Sequence, residues 1–188
     1  MSARLRFTTA KQIFEAFPKV TAEIELRAAE QDPLDFARAL LAKAHRFDAI
    51  VYAACLLPRR EAVWWGCQCV RALKNNQADE ALLAAEAWVR HPEDSERRAA
   101  LAIGAAGSTD APGTWLALAA GHSGGSISAE NGPPVAAARD ATAIYVKAGL
   151  VLAIARSTTA DPRAWLNACV EAAIRFADGG DATVIKPK

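Results

Sequence analysis

Apolar residues recur at three- and four-residue intervals in one segment after another of this chain, and no segment reads as a convincing strand, so the pattern predicts helices throughout. The stretch PRREAVWWGCQCVRALK, residues 58–74, is expected to be the helix around which the others are built. Its leading proline is a start signal, because the missing N–H would be unpaired in a first turn and the ring presets φ. Stepped at about 100° per residue, Ala62, Trp65, Cys69, Ala72 and Leu73 share one face, and Val63, Gly66 and Val70 widen it. Arg60, Glu61, Gln68 and Arg71 take the other side, with Trp64 among them. A large indole on a polar face meets either a second layer of helices or a partner.

Read in order, the chain opens with a short helix capped by Thr8 or Thr9 and stopped by Pro18, followed by an amphipathic segment over 21–30. Asp32-Pro33 reads as cap and first position of a helix to about residue 45, and residues 47–57 form a nearly buried helix ending at Pro58. After an Asn75-Asn76 turn the stripe resumes over 77–91, and Ser95 caps a helix over 96–106. Pro112 opens a short helix carrying Trp115. Residues 121–134, GHSGGSISAENGPP, are the one long irregular stretch, and a loop of that length is more often functional or mobile than a mere connection. A helix from 134 or 135 to about 156, burying Ile144, Leu150, Val151 and Ile154, precedes a last one that Asp161-Pro162 caps and Gly179-Gly180 ends. The expected fold is all-α: an irregular bundle of eight or nine helices in a single domain over 1–180, with a frayed tail over 181–188. The tryptophan-bearing segments share no period, which favours an irregular domain over a solenoid.

Composition narrows the function classes. Lys and Arg number 22 against 21 Asp and Glu, a net charge of +1, which removes the general electrostatic case for nucleic acid or an anionic membrane. The longest apolar run, residues 148–155, is far below the roughly 20 residues of a membrane span. The opening MSARLRFTTA lacks a signal-peptide core, so a cytoplasmic protein is expected. Cys55, Cys67, Cys69 and Cys169 lie in apolar helical sequence and read as buried free thiols. Cys67 and Cys69 would point about 160° apart on a helix, and no second ligand pair accompanies them, so neither a metal nor a cofactor is expected.

Two constellations remain. Gly121-His122-Ser123-Gly124-Gly125 matches the G-x-S-x-G elbow of serine hydrolases, but that chemistry needs a strand before the serine, a helix after it and a later histidine. Here a helical segment precedes, a proline-bearing loop follows, and no histidine comes after His122, so the glycines read as loop makers and an esterase is the weaker alternative. The other constellation is Arg59, Arg60, Arg71 and Lys74 around Trp64, a basic-aromatic surface suited to an acidic partner, or a set of arginines snorkelling over a packed indole. The leading reading is a non-enzymatic interaction protein whose contact residues are Arg60, Trp64, Gln68, Arg71, His122, Ser123 and Ser126. A self-assembling module is the other alternative.

The run LLPRREAVWWGCQCVRAL at 56–73, with the serine-glycine turn at 123–126 leading through prolines into a hydrophobic helix, resembles an uncharacterised family of small cytoplasmic bacterial proteins associated with type VI secretion gene clusters. The resemblance implies an accessory role, as an adaptor or chaperone for an effector or spike component. It carries no catalytic residues with it.

Overall fold

The computed structural model describes residues 5–73, 78–129, 132–184 and 186–187. The described residues form ten helices: Ala10–Ala16 (α1), Pro18–Thr21 (α2), Pro33–Ala42 (α3), Arg46–Leu56 (α4), Arg59–Leu73 (α5), Glu80–Arg90 (α6), Asp94–Ala106 (α7), Pro112–Gly121 (α8), Ala141–Ala155 (α9) and Pro162–Ala177 (α10). The all-α class holds, with two short helices, α1 and α2, where the sequence reading placed one. Lys74 and the Asn75-Asn76 turn lie outside the described residues.

Local chemistry explains most boundaries. Thr9 caps α1 by accepting from the Gln12 N–H at 3.4 Å, Asp32 caps α3 through the N–H groups of Leu34 and Asp35, and Asp161 caps α10 through that of Ala164. Pro18 follows Phe17, the non-helical C-cap at which α1 stops, and also opens the next helix, α2. The amphipathic segment over 21–30 is not helical beyond Thr21. Residues 29 and 31 instead turn their carbonyls to the start of α1, which needs acceptors: Ala10 N–H donates to Gln31 O at 2.9 Å and Lys11 N–H to Ala29 O at 3.2 Å. Ser95 does not cap α7; Glu93 holds that position, and the Ser95 hydroxyl bonds Glu96.

The helix expected from residue 134 begins only at Ala141. Residues 132–140 have other obligations, because Val135 O accepts from the Ile127 N–H at 2.8 Å and Ser126 bridges Ala136. Ile144, expected inside, is 45% exposed, while α9 buries Val146, Gly149, Leu150 and Ile154. In the tail, Ala182 and Val184 are buried in the core.

α5 is the centre of the packing, touching α4, α6, α8, α9 and α10. On one side lie α3, α4 and α10, on the other α6, α7 and α8, and α9 touches both α4 and α8. Close approach on the α8–α9 side needs Gly66, where a Cβ would fall 2.9 Å from Leu116 Cδ2. One hydrophobic cluster runs from α1 to Val184. Trp65 is its largest fully buried side chain, and its indole N–H donates to Cys169 O at 2.8 Å, so the ring is buried without leaving its donor unpaired.

Candidate functional site

The same turn of α5 that seals Trp65 directs Trp64 to the outer side. Arg60, Trp64, Gln68 and Arg71 follow one another at helical spacing, so they form a single stripe along α5. The second helical layer over that stripe is α6. Arg60 Nε donates to Val89 O at 2.7 Å, and Arg71 binds both oxygens of Glu86, Nη2 to Oε2 at 2.7 Å. The Glu86 side chain is only 3% exposed, and Arg90 Nη2 lies 4.0 Å from its Oε2. A buried carboxylate is therefore held by a two-point arginine pair, and that hydrogen bond raises the Arg71 guanidinium pKa further. Arg71 is thus committed within the fold.

Between α5, α6 and the end of α10 the packing leaves an open cavity of about 410 Å³, lined by Arg60, Glu61, Trp64, Val89, Arg90 and Phe176. Trp64 is partly buried there: it packs against the core and still presents surface to the cavity. Arg60 spends its Nε on Val89 O and has no other hydrogen-bond partner among the described residues. The result is an apolar concavity of indole, phenyl and isopropyl groups rimmed by two guanidinium groups and one carboxylate. Gln68 is half-buried on the same stripe.

The other candidate residues sit elsewhere and are engaged differently. His122 follows α8, its Nδ1 donating to Leu118 O at 2.9 Å and its ring centroid 4.9 Å from that of Tyr145. Ser123 N–H donates to Ala120 O at 3.1 Å and its carbonyl accepts from Arg59 Nη1 at 2.7 Å. This serine ends a helix, whereas the hydrolase elbow needs one poised between a strand and a helix. Ser126 ties the loop to itself: its Oγ accepts from the Val135 N–H at 3.1 Å and lies 2.7 Å from Ser128 Oγ. The loop and the Trp64 cavity have α5 in common but share no lining residue.

Arg97 and Arg98, which sequence reasoning passed over, hold the loop together with Arg59, which it placed around Trp64. Arg97, on an alanine-rich helix, is buried; it donates to Gly121 O at 2.8 Å and Ser126 O at 2.9 Å, and pairs with Asp94 at 2.6 Å. Arg98 reaches Ser128 O at 3.3 Å, and Arg59 Nη2 reaches Arg139 O at 3.1 Å. Gly125 lies against the Arg97 guanidinium with φ 61°, where a Cβ would come 2.9 Å from Nη2. The available signal was Asp94 followed at i+3 and i+4 by Arg97 and Arg98, an ion-pair spacing at a helix start.

All four cysteines are free and buried. Burial pushes the Cys55 thiol up to about 12 and those of Cys67 and Cys69 well above their ordinary value, so they stay protonated and unreactive. Among the described residues no group of three or more His, Cys, Asp or Glu is placed to hold a metal, and no helix is long and apolar enough to cross a membrane.

A model of a family of unknown function, DUF6931, matches residues 36–177 of the 188. No curated protein and no solved structure matches the chain.

Proposed function

We propose, from the premise that this chain belongs to the DUF6931 family of unknown function, that it is a non-enzymatic interaction protein docking a protein partner at the Trp64 cavity. The observation that carries this reading is the partly buried indole on the floor of a concavity of about 410 Å³ with Arg60 and Arg90 at its rim. Tryptophan and arginine are the residues most enriched where a few side chains supply most of an interface's energy. The occupant that fits is an apolar side chain of the partner flanked by a carboxylate, which Arg60 or Arg90 would pair.

The finer reading is an adaptor or chaperone for a type VI secretion effector or spike component, and it rests on the likeness of residues 56–73 and 121–155 to proteins of such clusters. Four buried, unpaired thiols support a reducing compartment, the cytoplasm. A non-catalytic role is supported by the use of the reactive groups: His122 is spent on a helix end, and the four cysteines are buried in the core. The test is a pull-down of candidate effector and spike components by wild type and by a Trp64→Ala, Arg60→Ala variant. Retention by the wild type with loss in the variant is expected; equal retention by both would show that this surface is not the docking site.

A further inference from the structure

A second cavity, of about 590 Å³, lies between the start of α4, the end of α9 and the start of α10, at no point sharing a residue with the Trp64 cavity. Its walls are mainly aliphatic: Val151, Ile154 and Leu166 line it together with Phe47. Phe47 is 55% exposed, more than the other exposed large hydrophobic residues described. A partner covering the ring would recover burial free energy that its exposed part forfeits in water.

The turn that presents this ring is held under strain. Ala44, also in the cavity wall, has φ 63°, and among the described residues it is the one non-glycine in the left-handed region. That conformation closes α3 through His45 N–H to Leu40 O at 2.9 Å and sends the chain at once into α4, placing Phe47 in the first turn. Backbone strain of this sort persists only where the surroundings enforce it.

Charge then selects the occupant. Arg46 and Arg163 line the cavity, and no acidic residue does. Arg46 Nε is used on Asn167 Oδ1 at 3.0 Å, while Arg163 makes no hydrogen bond or ion pair with any described residue. We infer that this groove docks an amphipathic helix of a protein partner, with an aliphatic stripe over Phe47 and Leu166 and acidic residues along the flank that meets Arg46 and Arg163. The site is separate from the Trp64 cavity and does not depend on it. Leu166 and Phe176 place one cavity near each end of α10, about 15 Å apart along its axis.

The test is selection of a phage-displayed random library of about 16-residue peptides, long enough for four helical turns, on the full chain. Enriched peptides are then synthesised and their affinity measured for wild type, Phe47→Ala, Arg163→Glu and Trp64→Ala, with thermal melts confirming that each variant folds. Phe47 and Arg163 are exposed, so both variants should fold. The expected result is a set of peptides with aliphatic residues at i, i+3 or i+4 and interspersed Asp or Glu, losing roughly tenfold or more in affinity on Phe47→Ala and on Arg163→Glu but unchanged by Trp64→Ala. No enrichment, enrichment of peptides without acidic residues, or affinity insensitive to both groove variants would overturn the inference. So would wild-type dimerisation in sedimentation that Phe47→Ala abolishes, since a second copy would then be the occupant. Loss with Trp64→Ala alone would leave the Trp64 reading standing and remove this one.

Discussion

The 121–140 loop and the Trp64 cavity are both built around arginines, and they differ in what those arginines bind. At the loop, Arg59, Arg97 and Arg98 donate to the carbonyls of Ser123, Arg139, Gly121, Ser126 and Ser128. A segment whose sequence promises mobility is thereby held by charge-assisted hydrogen bonds to its own backbone. At the cavity, Arg71 and the Arg60 Nε are consumed by α6, but the rest of Arg60, together with Arg90 and the indole, borders open space. The lesson is that arginine near glycine and serine marks a fastening, whereas arginine beside a half-covered aromatic ring marks a place for something else to bind.

Substitutions at the loop should therefore weaken the fold and spare binding, and the reverse should hold at the cavity. The largest effect is expected from Arg97→Ala, which strips donors from two carbonyls and leaves Asp94 without its buried partner. Urea denaturation should show a loss of roughly 3 kcal/mol. Wild-type stability in that variant would mean that the loop is not fastened through Arg97. Next is Gly125→Ala, whose methyl would meet the Arg97 guanidinium at a backbone angle unfavourable to alanine. The expected cost is about 1–2 kcal/mol, read as a lower melting temperature with partner binding retained.

The smallest effect is pH-dependent. Hydrogen bonds from Arg98 first and Arg97 second hold the Asp94 carboxyl below the usual aspartate range. A carboxylate with a depressed folded-state pKa contributes its full stability above the unfolded value, about 3.9, and loses it as pH falls through the depressed one. Melting temperature recorded between about pH 5 and 2 should fall less steeply in Asp94→Asn than in wild type, whereas Trp64→Ala should run parallel to wild type. Equal slopes for Asp94→Asn and wild type would sever the link between that carboxylate and the loop clamp.

Most of the fold was legible because local chemistry decided it. The proline and cap pairs at Asp32-Pro33 and Asp161-Pro162, and the stripe that buries Trp65 while turning Trp64 outward, need no tertiary information. What was not legible depended on partners distant in sequence. Residues 134–140 have helical composition but pair with 126–127, and Ile144 faces outward because α9 starts at Ala141 and buries its other side. Residues 21–30 read as amphipathic, yet Ala29 and, just past that segment, Gln31 serve as acceptors for α1. At the site, Trp64, Arg60 and Gln68 were found by periodicity alone. Phe176 and Arg90 were not, since a cavity wall drawn from three helices has no signature in any one of them. His122, Ser123 and Ser126, grouped with Trp64 in the sequence reading, do not line the Trp64 cavity.

A benzophenone photocrosslinker installed at position 61, on the cavity wall beside Trp64, and in a separate chain at position 123, reports most directly which surface a partner covers. Irradiated with the candidate secretion components, the chain carrying it at 61 should form a covalent adduct with one of them and the chain carrying it at 123 should not. An adduct from 123 with none from 61 would place the partner on the loop and contradict docking at the Trp64 cavity.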